Sequence, residues 1–229
     1  MHFLYVQARD TVRLQIAGSP AMSDSLASPA RPKMGWPFGF VLVTSLLIAL
    51  ASVRYLFPGA PGGAPGIMDN AFTKYGVLTV HAGFALVALT IGPFQFLRGL
   101  RARHPRLHRW MGRTYVLACL AAGAAGLVLA FGASTGPVST AGFGLLAVLW
   151  LFTTTKAWTS AMNRRFEEHR RWMIRSFALT FAAVTLRLYL PFAFFSPFGY
   201  DAAYRAISFL CWVPNLAFAE VFVRVRPRP

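Results

Sequence analysis

The stretch that opens Trp110-Met111-Gly112-Arg113-Thr114-Tyr115 and runs on, apolar, to Phe131 decides the fold. A helix needs about 20 mostly apolar residues to cross the hydrocarbon of a bilayer, and this stretch has that length. Its one charge, Arg113, stands near its start, behind His108 and Arg109. Further on, Trp172-Met173-Ile174-Arg175-Ser176-Phe177 repeats the arrangement behind His169, Arg170 and Arg171. Each copy of Trp-Met-x-Arg-[Ser/Thr]-aromatic opens a long apolar run.

Working outward, six stretches qualify as spans: about Trp36 to Phe57, Tyr75 to Leu97, Trp110 to Phe131, Gly142 to Met162, Trp172 to Phe195 and Ala202 to Val223. The runs are too long and continuous for the alternating segments of a membrane barrel. The composition agrees, with 56% hydrophobic and 13% charged residues, where a soluble domain carries about 25% charged. The expectation is an all-α, polytopic transmembrane bundle, the lipid bilayer being its first partner.

A net charge of +16 suggests nucleic acid only if the cations share a face. Here they fill the gaps between spans, so no nucleic-acid partner is expected. Arg9, Arg13, Arg31 and Lys33 precede the first span. Arg98, Arg101, Arg103, Arg106, Arg109 and Arg113 lie between or beside the second and third. Lys156, Arg164, Arg165, Arg170, Arg171 and Arg175 do the same for the fourth and fifth, and Arg224, Arg226 and Arg228 form the tail. Nineteen of the 23 Lys and Arg thus fall on one side. The opposite loops, Pro58 to Thr73, Gly132 to Ala141 and Ser196 to Asp201, are short or rich in Pro and Gly. The positive-inside rule then predicts both termini cytoplasmic, in a multi-pass protein of a bacterial inner membrane.

Residues 1–33 lack the apolar core and cleavage site of a signal peptide. They are expected to be a disordered cytoplasmic segment, with Met1, Met22 or Met34 as the start. Residues 34–223 form the membrane domain, with a core over 72–222, and residues 224–229 a basic cytoplasmic tail. Spans two-three and four-five are candidate parallel repeats about an axis along the membrane normal. The plainer explanation is convergence, since basic residues followed by Trp make a common boundary anchor. The histidines also sit two residues before Trp in one copy and three in the other.

Ionisable and amide groups inside spans are functional candidates, because lipid burial is costly. They are His81, Gln95, Arg187, Asn215 and Glu220. Three histidines head helical stripes of small or polar residues. His81 aligns with Ala85, Ala88, Gly92 and Gln95; His108 with Gly112, Tyr115, Cys119 and Ala122; His169 with Met173, Ser176, Thr180, Ala183 and Arg187. His169 and Arg187 are five turns apart, about 27 Å. Arg187 and Glu220 lie at different depths and are not expected to pair. For His81, simple packing with a hydrogen bond to a neighbouring helix stands beside any ligand role.

Inward histidines in a helix bundle suit haem, whose iron accepts axial imidazoles. His108 and His169 are the candidate ligands of a haem b, with His81 as a candidate for a second site. Arg109, Arg113, Arg170 and Arg171 are candidates for the propionates. No HExxH, nucleotide-binding or nucleophile-elbow motif is present. Catalysis is left open; an enzyme of this kind would be a membrane oxidoreductase, with a redox partner or quinone that the residues do not name. Two further readings stand: a non-redox bundle binding a lipid or small anion through Arg187 and the basic face, and a structural or assembly partner of a membrane complex.

The chain resembles the domain-of-unknown-function 2306 family of bacterial predicted membrane proteins. The matching pieces are His81-Ala-Gly, Gly92-Pro93-Phe94-Gln95-Phe96, Leu107-His108-Arg109-Trp110-Met111-Gly112-Arg113-x-Tyr115, His169 to Ser176, Arg187-Leu188, and Trp212-x-Pro214-Asn215 with Glu220. They cover about residues 72–222. The resemblance implies an integral membrane protein and no particular activity. More distantly, Leu107-His108-Arg109-Trp110-Met111-Gly112 is similar to the Leu-His-x-Trp-Leu-Gly motif of di-haem cytochrome b proteins, also six-helix proteins. The chain lacks the full set of four intramembrane ligands found there.

Overall fold

The computed structural model of the chain describes residues 36–57, 71–133 and 135–225. The expected N-terminal segment with its alternative starts, most of the Pro58–Thr73 loop, and Arg226 and Arg228 of the tail lie outside the described residues. Those described are helical throughout, without a strand. The helices are α1 (Trp36–Ser52), α2 (Ala71–Ile91), α3 (Arg98–Arg103), α4 (Pro105–Ala130), α5 (Pro137–Met162), α6 (Phe166–Thr180), α7 (Ala182–Phe194), α8 (Tyr200–Leu210) and α9 (Val213–Val225). Short 3-10 turns, Val53–Leu56 and Pro93–Phe96, follow α1 and α2.

Among the described residues six units are long and apolar enough to cross a membrane: Trp36–Leu56, Gly76–Phe96, Pro105–Ala130, Pro137–Met162, Phe166–Phe194 and Tyr200–Val225. The expected count holds, with shifted boundaries. The third begins at Pro105 rather than Trp110 and the fifth at Phe166 rather than Trp172. His108, Arg109 and His169 to Arg171 are therefore on helices, not in loops. Proline explains two of the starts: Pro105 and Pro137 occupy first-turn positions, where the missing N–H would have had no partner.

Spans two, three, four and five form a closed ring. Each packs on the next, and the second returns to the fifth, where a Cβ on Gly92 would come within 2.6 Å of the Phe177 ring. Phe96 reinforces this corner, its ring 5.4 Å from that of Phe177. Span six closes against spans four and five. Span one leans on the seam between spans two and five through a small cluster of Ala49, Leu89 and Val184.

The packing is inverted relative to a soluble protein. The buried core is built largely of Ala, Cys, Ser and Thr, with Tyr115, Trp150 and Trp212 as its large members. Leu117, Val128, Phe131, Leu145, Phe192 and Phe218 are exposed. Lipid solvates large apolar chains as well as protein does, so helices associate through small residues and hydrogen bonds instead.

Spans five and six are each broken. The sixth breaks at Cys211–Trp212 because Pro214 has no N–H to return to the Leu210 carbonyl. The fifth breaks at Phe181, beside the point where Asn215 enters. Asn215 Nδ2 donates to the carbonyls of Cys211 (3.1 Å) and Ala178 (3.4 Å) and to Thr185 Oγ1 (3.1 Å). Thr185 Oγ1 in turn donates to the Cys211 carbonyl. The two interruptions share one side-chain amide, which supplies the donors the broken ladders lack.

Candidate functional site

The stripes headed by His108 and His169 face each other in the ring. Tyr115 Oη lies 2.9 Å from Thr180 Oγ1 and 3.1 Å from Ser176 Oγ, and Thr154 Oγ1 is 2.7 Å from Ser176 Oγ. Trp150 Nε1 donates to Thr180 Oγ1 (3.0 Å), and Thr180 Oγ1 donates to the Ser176 carbonyl (3.0 Å). A hydroxyl has one proton, so the directions follow. Thr180 spends its proton on the Ser176 carbonyl, hence Tyr115 donates to Thr180. Ser176 then donates to Tyr115, and Thr154 to Ser176. Every hydroxyl in this buried circuit is satisfied, and three spans are tied by it. It is a structural lock.

The basic end of the ring is different. His169 Nδ1–H donates to the Ala157 carbonyl of α5, at 2.8 Å. A carbonyl only accepts, so the neutral ring carries its proton on Nδ1 and presents Nε2 as a lone pair. His108, on α4, lies close enough to His169 for their charges to interact, with Arg101 and Arg109 also near. Among the described residues the buried Nδ1 of His108 finds no hydrogen-bond partner. Neither does the buried Nε2 of Gln95, which stands in the Pro93–Phe96 turn. Gln95 lies against α4 one turn beyond His108: a Cβ on Gly112 would be 3.3 Å from its Oε1.

The one-residue offset between the two histidines in the sequence disappears at the helix ends. Counted from the caps His104 and Arg165, both are the fourth helical residue, their N–H groups bonded to the cap carbonyls at 3.0 Å and 2.9 Å. The repeated arginines also share a local geometry. Arg113 stacks over Trp110 (5.7 Å) and Arg175 over Trp172 (4.6 Å).

The remaining predicted residues lie elsewhere. His81, in span two near the opposite end, donates from Nδ1 to the Ala122 carbonyl (2.8 Å). Gly126 makes room for it, since a Cβ there would be 3.0 Å from the imidazole. Arg187 donates to Ala183 of its own helix (3.0 Å) and lies over the Tyr55 ring. Glu220 pairs with Arg175, Nε to Oε1 at 2.5 Å and Nη2 to Oε2 at 3.0 Å, with Arg224 3.7 Å away. Sequence reasoning kept Arg187 and Glu220 apart, as they are. It counted Arg175 only as a topology anchor and missed it as the partner, because the α6–α9 contact is not local. Thr154 and Trp150 were missed for the same reason.

Among the described residues no three His, Cys, Asp or Glu side chains converge to hold a metal ion. A porphyrin supplies four nitrogens itself and asks the protein only for axial ligands. Two imidazoles at one end of a bundle, within electrostatic reach of each other and one of them oriented by a carbonyl, are of the kind that requirement names.

Six apolar helices around a core of small residues define a multi-pass α-helical membrane protein. The family model described as a predicted membrane protein, DUF2306, matches residues 78–223, and the chain belongs to this family. No curated protein and no solved structure matches the chain.

Proposed function

We propose that this protein is a haem-binding electron carrier of a bacterial inner membrane, with His108 and His169 as the axial ligands of one haem b at the cytoplasmic side. The observation that supports this reading is that Nδ1 of His169 is held by the Ala157 carbonyl, with His108 of a different span within electrostatic reach of it. Such a hydrogen bond fixes the tautomer and orientation of a ligating imidazole. Haem, when bound, supplies one-electron transfer. Arg101 and Arg109, both near His108, offer charge to its propionates. The arginines gathered at that end support the cytoplasmic side.

The test is the reduced-minus-oxidised absorbance of the full chain, expressed with ample haem and purified in detergent. A low-spin spectrum with a sharp α-band is expected, and His108→Ala and His169→Ala should each remove it. His81→Ala should leave it in place, which separates loss of ligation from general damage to a bundle histidine. Absence of any Soret band in the wild type, or an unchanged spectrum in both ligand variants, overturns the proposal.

A further inference from the structure

The end of the bundle remote from the basic loops holds a second group of cations. Arg54 and Tyr55 stand in the 3-10 turn that ends span one, and Arg187 in the last part of span five. The two guanidinium carbons share one aromatic ring: Arg54 lies 5.0 Å and Arg187 5.6 Å from the Tyr55 centroid. Arg54 Nη2 also donates to Tyr55 Oη, at 3.1 Å. Arg187 is within electrostatic reach of both Arg54 and His81.

A guanidinium has five N–H donors. Arg187 gives one to the Ala183 carbonyl. Among the described residues no carboxylate forms an ion pair with Arg187 or Arg54. The contrast with Arg175 is direct, because that arginine meets Glu220 with both arms of its fork. Charged groups at membrane depth are normally paired. Here two like charges are gathered around one ring, with an imidazole within electrostatic reach of one of them. Tyr55 Oη accepts from Arg54, which leaves its own proton to donate outward. His81 spends Nδ1 on Ala122 and keeps Nε2.

We propose that Arg187, Arg54 and the Tyr55 hydroxyl form a site for a phosphate or phosphodiester group. Tetrahedral oxyanions take bidentate bonds from guanidinium forks, and a ring shared by two arginines holds both forks in place. The phosphate belongs either to an anionic lipid headgroup or to a small solute.

The test uses the full chain in detergent, followed by its unfolding temperature. Phosphatidylglycerol is titrated against phosphatidylcholine, and inorganic phosphate against chloride at equal ionic strength. A saturable rise with phosphatidylglycerol alone supports a lipid site; a rise with inorganic phosphate as well supports a solute site. In either case Arg187→Gln and Arg54→Gln should raise the half-saturating concentration about tenfold, as expected for losing a charge-assisted bond. Arg103→Gln, at the basic end, should not change it. Arg54 is exposed, so its variant keeps the test valid where Arg187→Gln fails to fold. No saturable rise with either probe, or unchanged half-saturation in both variants, overturns the proposal.

Discussion

Tyr115 delivers its phenolic proton to Thr180, 2.9 Å away, across the contact between the third and fifth spans. This direction leaves the hydroxyl proton of Thr180 for the Ser176 carbonyl, 3.0 Å away. Thr180 therefore accepts from both Tyr115 and Trp150.

Thr180→Val should consequently cost more than Tyr115→Phe. The valine strands two buried donors, whereas the phenylalanine strands one. Each stranded group costs about 1–3 kcal/mol, at the lower end within a membrane bundle. Unfolding in detergent, followed by denaturant or temperature, should rank the two variants in that order. The double variant should lose less than the sum, since both changes remove the same bond.

Breaking the Arg175–Glu220 pair should destabilise the packing of the fifth span on the sixth. The side chains are 16% and 31% exposed, so the pair is partly shielded from solvent. Glu220→Gln should lower stability by about 1–3 kcal/mol. The exchanged pair, Arg175→Glu with Glu220→Arg, should recover part of the loss. Arg224 also contacts Glu220, at 3.7 Å, but at 79% exposure it is screened. Its removal should change stability by well under about 1 kcal/mol.

Gly126 should tolerate alanine poorly and leucine not at all. A Cβ there would lie 3.0 Å from His81 Cε1 and Nδ1, closer than side-chain carbons normally pack. Alanine should shift the imidazole by a few tenths of an ångström and weaken its bond to Ala122. Leucine should cost about 1–3 kcal/mol or more through overpacking. Thermal unfolding of both variants beside His81→Ala checks this. If the Gly126 variants lose little in the His81→Ala background, the imidazole is the clashing group.

Asn215→Leu should loosen the two helix breaks together. The amide, on α9, donates to Ala178 and Thr185 on either side of the α6–α7 interruption and to Cys211 at the α8–α9 interruption. Amide hydrogen exchange should therefore rise near Phe181 and near Trp212 in the same variant. An increase confined to one break would contradict a shared amide support.

Much of this architecture is legible without coordinates. Long apolar runs dictate helices, since a chain in lipid must satisfy its backbone internally. The stripes of small residues show which face of each helix turns inward. The His108 and His169 stripes do meet, through Tyr115, Ser176 and Thr180. Helix starts were less legible: Pro105 and Phe166 begin their helices ahead of the tryptophans, because the first turn of an amphipathic helix can be strongly basic. The break at Cys211–Trp212 could have been read from Pro214.

The sequence by itself determined six apolar helices, their alternation, and a single end carrying most of the arginines. These follow from local length, hydropathy and charge, which need no knowledge of neighbours. Only the tertiary structure decided that Arg175 holds Glu220, that Asn215 bridges two helix breaks, and that Arg54 and Arg187 share the ring of Tyr55. Apart from Arg54 with its neighbour Tyr55 and Asn215 with Cys211, these relations join residues 30 or more positions apart. Such pairings depend on which helices adjoin and how they are rotated. That choice is made by the summed fit of many small side chains, and no single stretch of the chain encodes it.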